Sequence, residues 1–331
     1  MSKLPTISIV IPTYNEEKYI EACLKSIFRQ NYPKNLLEVF VVDNCSRDNT
    51  VKIAQKYNVK ILINKIKDPE VSKMIAFKKS RGELFYYMDA DLEFKNKDYL
   101  RKLVYPLLNN PLIVGSSGKV VQSVSYTSLN RFLTYDTHQR DPLLEYFSPL
   151  IYKTVVKKLG EYYLCRYTKE KIPPVGRCLY WRKKLLETRI AKAKKFMDLD
   201  NLVILVEKRF YYFAFVPQAE EYHYHVQGIK SLIGKRIRNI SNVFLPQCET
   251  REYTWFNLNS KKDLIKIIAW IIYANLVIPA FVRGCIKAFR YKDFYCIWYE
   301  PFLTLVLTDI TLYGFFSNPA GLKFIFNRLF R

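Results

Sequence analysis

From Thr6 to Asp91 short apolar runs alternate with segments whose apolar positions recur every three to four residues. TISIVIPTYN is a β-rich run ending in Pro12, Tyr14 and Asn15, which predicts a strand followed by a loop. EEKYIEACLKSIFRQ sets Ile20, Leu24, Ile27 and Phe28 at helical spacing behind acidic residues. LEVFVVDN predicts a second strand ending at Asp43, and SRDNTVKIAQKY a second helix with Asp48 as its N-cap. VKILIN predicts a third strand, VSKMIAFKKSRG a helix stopped by Gly82, and ELFYYMDAD a fourth strand. Such alternation implies an α/β fold with a largely parallel sheet and right-handed crossovers. Ligands of open α/β sheets bind at the carboxyl ends of the strands, and Asn15, Asp43 and Asp89 all fall at such ends.

Between residues 96 and 180 the pattern weakens. Aromatic and basic residues mix there in a way that accommodates amphipathic helices. LDNLVILVEKRF then predicts a helix, and YYFAFVP a strand closed by Pro217. The tail changes character. LIKIIAWIIYANLVIPAFV, residues 264–282, is apolar apart from Lys266 and Asn275 and is about long enough to cross a bilayer. A second apolar stretch, 294–316, carries Glu300 and Asp309, both costly in lipid. The segment between them, RGCIKAFRYKD, is basic. If both stretches crossed, it would lie on the far side, against the positive-inside rule. A re-entrant second stretch, a hairpin embedded from one side, or helices lying in the cytoplasmic leaflet would remove the conflict. Buried core helices of a soluble domain are the alternative.

Composition narrows the partners. Half of the 331 residues are hydrophobic and 16% are aromatic, enough for a real core and too many for a disordered chain. The net charge of +23 points to an anionic partner: nucleic acid, an acidic membrane face or phosphorylated ligands. No RNA-binding signature accompanies that charge, and acids at strand ends would repel nucleic-acid phosphates, so no nucleic-acid partner is expected. The seven cysteines form no CxxC pair, which argues against a zinc site or a disulfide framework and fits a reducing compartment. MSKLPTISIVIP has no signal-peptide core.

Asp89 and Asp91 stand one residue apart at the mouth of an apolar strand, where their repulsion is costly. Asp also favours turns and caps. Hard oxygen donors at an open site suit Mg²⁺ or Mn²⁺ held jointly with a diphosphate, and a metal would remove the repulsion.

SIVIPTYNEEKYIEACLKSIFRQNYP, VVDNCSRDNT and GELFYYMDAD, followed by VGRCLYWRKKLL, MDLDNLVILVEKRFYYFAFVPQAEEYHYH and KRIRN, give the chain its clearest resemblance. Over roughly residues 6 to 240 it resembles inverting family-2 glycosyltransferases. The resemblance implies a GT-A fold, with a Rossmann-like mixed sheet, flanking helices and a hydrophobic, membrane-associating helical region at the C-terminal end. By position it implies that Pro12, Tyr14 and Glu16 pack around a nucleoside and that Asp43 bonds the base. It places Lys73 and Asp89 near the nucleotide, Asp91 on the metal, Gly176 under the sugar and acceptor, and Asp198 as catalytic base. Asn44, Met74 and Met197 depart from the family's usual Asp, Asn and Glu, and Asp200 is the alternative base. A helix N-cap is the plainer reading of Asp198. His223 and His225 alternate along a strand end and are candidates for the metal site or the diphosphate. Lys235, Arg236 and Arg238 offer phosphate or acceptor contacts, or else a solvated basic face. Lys235 and Asn239 break the Gln-x-x-Arg-Trp pattern of processive synthases, which favours addition of one sugar.

The resemblance thus implies a donor-binding half at 1–118, an acceptor-binding half at 119–245 and membrane-associating helices at 246–331. A nucleotide-diphosphate sugar is the expected donor. A lipid-linked or membrane-bound acceptor hydroxyl is the expected acceptor, on an anionic membrane surface with the catalytic domain facing the cytoplasm. Alternatives are a polyprenyl-phosphate acceptor, a basic RNA-binding protein, or a degenerate transferase that only binds nucleotide sugar.

Overall fold

The structure is a computed structural model that describes residues 3–135, 138–247, 250–254 and 260–329. The chain divides into two compact units, each discontinuous in sequence. One joins the residues up to Val121 with Leu150–His223, and the other joins Gln122–Pro149 with the residues from Tyr224 onward.

The first unit is built on a mixed ten-stranded sheet. Its strands are β1 (Ile7–Thr13), β2 (Leu37–Asp43), β3 (Lys60–Ile63), β4 (Leu84–Tyr87), β5 (Leu92–Phe94), β6 (Ile113–Val120), β7 (Val155–Leu159), β8 (Tyr162–Arg166), β9 (Leu179–Trp181) and β10 (Tyr212–His223). The order is β3-β2-β1-β4-β9-β6-β10-β8-β7, with β5 paired to β10. β3, β2, β1 and β4 are parallel, as the sequence alternation requires, with helices Ile20–Phe28, Thr50–Ala54 and Pro69–Lys79 in the crossovers. β1 is buried along its whole length, which explains why it reads as a continuous apolar run rather than an alternating one. β9 runs antiparallel to both β4 and β6 and makes the sheet mixed.

Several local expectations are corrected. The N-cap of Thr50–Ala54 is Asn49, while Asp48 accepts from the Thr50 amide and hydroxyl one position earlier. The helix Pro69–Lys79 stops at Ser80, not at Gly82. Gly82 instead lets the chain pass close to β1, since a Cβ there would lie 2.5 Å from the Ser8 nitrogen. β10 does not close at Pro217 but continues to His223. Its pairing with β6 shifts register between Phe215 and Glu220, so the missing proline N–H falls in an irregular stretch of the ladder. Residues 155–166, within the stretch whose weak pattern accommodates amphipathic helices, form the β7–β8 hairpin, turning at Gly160 with φ +60°.

The second unit is helical. Short helices Ser128–Leu133 and Pro142–Phe147 accompany Ile229–Arg238, Lys261–Leu276, Ile278–Tyr291, Cys296–Phe316 and Pro319–Leu329. The apolar stretch 264–282 is not one helix. It breaks at Val277, which has φ 60°, and the flanking helices bend by 80°. Pro279 accounts for the break: it has no N–H to give the Asn275 carbonyl and its ring would clash there, whereas the first turn of a new helix accepts it. Among the described residues no single helix is long and apolar enough to cross a membrane; the bent pair meets the test of length and composition together.

Candidate active site

Three ligating side chains converge at the strand ends of the first unit. Asp89 and Asp91 follow β4, and His223 is the last residue of β10. One donor atom from each lies within 4.8 Å of the others. His223 Nε2 is 3.3 Å from Asp91 Oδ1 and 4.0 Å from Asp89 Oδ2. β5 brings this about. It follows the Asp89–Asp91 turn directly and pairs antiparallel with β10, setting Leu92 opposite His223. Two carboxylates and an imidazole form a donor set suited to a divalent cation such as Mn²⁺ or Mg²⁺. His225 is not in this group; it belongs to the second unit, where its carbonyl accepts from Lys235.

Two residues that the sequence reading passed over support the group. Arg177, next to Gly176, donates from Nε to Glu221 at 3.0 Å, and its Nη1 lies 3.6 Å from Asp89 Oδ2. Glu221 is buried and also accepts from the hydroxyls of Tyr99 at 2.7 Å and Tyr86 at 3.4 Å. Burial alone would raise the Glu221 carboxyl, but Arg177, Tyr99 and His223 outweigh it and hold it below its ordinary range. Ala219, Glu221 and His223 alternate on one buried face of β10. An acid two residues before a candidate ligand histidine, on the same strand face, was the available signal.

Asp198 opens the helix Asp198–Glu207. The N-cap is Met197, so Asp198 is the first helical residue and not the cap. A carboxylate is favoured there by the helix dipole. Its Oδ1 accepts from Lys73 Nζ at 2.7 Å, and Lys73 also reaches Glu70 at 3.1 Å and lies over the Tyr87 ring at 4.6 Å. Lys73 is buried, held between the helix Pro69–Lys79 and the start of Asp198–Glu207. Burial raises the Asp198 carboxyl above its ordinary range; Lys73 opposes that shift and Asp89 adds to it. For Lys73 burial works downward, but Asp198, Glu70 and Asp89 prevail and keep the ammonium charged. Asp200, the alternative base, is buried on the same helix.

Pro12 is in β1, and Tyr14 and Glu16 are in the loop after it, with Tyr14 half exposed. Asp43 ends β2 and accepts from the Ser46 amide at 2.9 Å, the Ser46 hydroxyl at 2.5 Å and the Thr13 hydroxyl at 3.3 Å. Asn44 stands where a carboxylate is frequent. Its amide donates to the Thr13 carbonyl and accepts from Asn64 and Ser72, a dual role closed to an ionised Asp. A Cβ added at Gly176 would meet nothing within 4 Å, so there is open space before it. Lys235, Arg236 and Arg238 lie in the second unit. Arg236 pairs with Asp141, and Arg238 is exposed.

The stretch from β1 through β7 matches the profile described as "Glycosyl transferase family 2", over residues 8–158. Residues 8–158 belong to glycosyl transferase family 2. The chain is 26% identical over 215 residues to the poly(ribitol-phosphate) beta-N-acetylglucosaminyltransferase TarS of Staphylococcus aureus, covering 62% of this chain and 35% of TarS. It is 33% identical over 102 residues to a dolichyl N-acetyl-alpha-D-glucosaminyl phosphate 3-beta-D-2,3-diacetamido-2,3-dideoxy-beta-D-glucuronosyltransferase of Methanococcus voltae, covering 29% of this chain and 32% of that one. The chain thus spans about a third of the length of these relatives. Among solved structures, the mannosyltransferase PcManGT from Pyrobaculum calidifontis, in complex with GDP-Man and Mn²⁺, superposes with TM-score 0.57 at 16% identity. The superposition covers 96% of this chain and 89% of that one. The mixed sheet with flanking helices is therefore the GT-A fold expected from the sequence.

Proposed function

We propose that the protein is a metal-dependent inverting glycosyltransferase that moves one sugar from a nucleotide-diphosphate sugar to a membrane-associated, lipid-linked acceptor hydroxyl. The carrying observation is the convergence of Asp89, Asp91 and His223 at the strand ends that also bear Asp43 and, nearby, Asp198. Asp91 and His223 would hold Mg²⁺ or Mn²⁺ with Asp89 beside them. Bound there, the ion would supply positive charge against the donor's diphosphate. Pro12, Tyr14, Glu16 and Asp43 receive the nucleoside, and the space before Gly176 receives the sugar. Asp198, its basicity raised by burial, takes the proton of the acceptor hydroxyl. The acceptor oxygen bonds to the anomeric carbon as the bond to the diphosphate oxygen breaks, and that electron pair leaves with the nucleoside diphosphate. Lys73 keeps the Asp198 carboxylate aimed and ionised. Residues 1–118 serve the donor and 119–245 the acceptor, on the cytoplasmic face of an anionic membrane. The dolichyl-linked substrate in a relative's name and the net charge of +23 support that setting.

Titration of UDP, GDP and dTDP into the purified protein, with Mn²⁺ and with EDTA, tests the reading. One nucleotide should bind only with the metal, and Asp91→Ala should abolish that binding. Failure of all three to bind the folded protein overturns it. The Lys73 clamp on Asp198 leaves a second acceptor in view, a polyprenyl phosphate, which arrives ionised and needs no base. Asp198→Asn should lower transfer to a hydroxyl by about 10²–10⁴-fold but only weaken transfer to a phosphate.

A further inference from the structure

The helix Ile278–Tyr291 is built inside out. Two of its three charged residues, Arg283 and Lys287, turn inward, where Arg283 pairs with Glu145 at 2.5 Å and Glu300 at 3.2 Å, and Lys287 with the same acids at 2.8 and 2.7 Å. Glu300 is fully buried. Apart from Arg290 in the last turn, the outward positions are apolar: Phe281, Val282, Ile286 and Phe289 follow each other at helical spacing, and Phe289 is 80% exposed. A helix facing water normally shows the opposite pattern.

The neighbouring helix also turns an apolar stripe outward. On Lys261–Leu276 the buried residues are Trp270 and Ala274, while Ile265, Ile268, Ile272 and Leu276 form a stripe, each more than half exposed. The exposed apolar run continues round the bend through Val277 and Ile278, and beyond Tyr291 it resumes with Phe294 and Trp298, about 70% exposed. Monomeric soluble proteins rarely leave so much contiguous apolar surface in water.

We infer that this surface docks in the headgroup and upper acyl layer of an anionic membrane, entering from one side without crossing. The bend at Val277 prevents a straight span. Exposed Lys261 and Lys262 open the first helix, and exposed Arg290 and Lys292 close the second, so the apolar stripes are rimmed by positive charge. Aromatics beside basic residues, here Phe289, Phe294 and Trp298 with Arg290 and Lys292, suit that layer. A second copy of the chain would bring the same positive rim against itself, whereas anionic lipid attracts it. The inference deepens the membrane setting proposed above by naming the surface that meets the lipid, and it stands independently of sugar transfer.

Sedimentation of the full chain with vesicles tests it. Wild type should pellet with phosphatidylcholine–phosphatidylglycerol vesicles and far less with phosphatidylcholine alone. Ile286→Asp with Phe289→Asp should weaken binding about tenfold or more. Lys261→Ala with Arg290→Ala should remove most of the preference for anionic lipid. Metal-dependent nucleotide binding should be unchanged in all variants, which shows that they are folded and separates failure here from failure of the transferase reading. Wild type that stays in the supernatant, a double Asp variant that still pellets, or a lipid-free dimer dissolved by that variant would each overturn the inference.

Discussion

Around the strand ends of the first unit, Asp89, Asp91, Glu221, Glu70 and Asp198 are accompanied by two cations, Arg177 and Lys73. In the helical unit Glu145 and Glu300 are matched by Arg283 and Lys287, charge for charge. Both arrangements take carboxylates out of water at a cost. Only the first leaves acid in excess, in a chain that is strongly basic as a whole. An unbalanced set at the mouth of a sheet is completed by something that binds; a balanced set inside a bundle is complete already. Charge imbalance, more than burial, separates a site from a structural cluster.

Three substitutions sharpen the contrast. The largest effect is expected from Glu300→Ala, which leaves Arg283 and Lys287 to share Glu145. Breaking a buried, paired group of this kind costs about 3–5 kcal/mol, to be read by urea denaturation, and nucleotide binding by the folded protein should persist. Equal loss of nucleotide binding would erase the distinction between the two regions.

Arg177→Gln should cost less, about 1–3 kcal/mol, because Glu221 keeps its two tyrosine hydroxyls. Removing this cation leaves the strand-end group with more net negative charge, so Mn²⁺ should bind several-fold tighter and restore part of the lost thermal stability. EDTA should cancel the recovery. A variant indifferent to Mn²⁺ would show that the acid excess is not a cation site.

The smallest effect concerns Glu38, away from both regions. Burial would raise its carboxyl, but Lys60, the Ser8 hydroxyl and the Arg81 amide outweigh burial and hold it low. The stabilisation is therefore present above the unfolded carboxyl value of about 4.3 and is lost as pH falls through the lower folded value. Glu38→Gln should cost under about 1 kcal/mol at neutral pH and flatten the acid limb of a stability–pH curve.

The first four strands were legible in the sequence because their signal is local: buried parallel strands read as apolar runs, and the crossover helices follow directly. Pro217 reads as a strand terminator, yet β10 runs past it, because the structure tolerates the proline where pairing with β6 is already irregular. The β7–β8 hairpin was missed because its exposed positions, such as Val156, carry apolar side chains that blur a period of two. Asp89 and Asp91 announced themselves by spacing. Arg177 and Glu221 did not, since their bond joins residues 44 apart in sequence and no local pattern encodes it. Alternation nominated both His223 and His225, and only the pairing of β5 with β10 distinguishes them.

The interleaved division of the chain also sets an order of assembly during synthesis. Domains tend to form as they emerge, from the N-terminal end. Residues 122–149 leave the ribosome early, yet the rest of their unit begins only at Tyr224. Their packing with the rest of that unit waits until 150–223 is made. The sheet, too, stays open until its tenth strand arrives, and that strand ends in His223. The nascent chain therefore acquires its third candidate ligand at the moment its sheet closes, and a divalent cation present then would favour the finished sheet over every shorter intermediate.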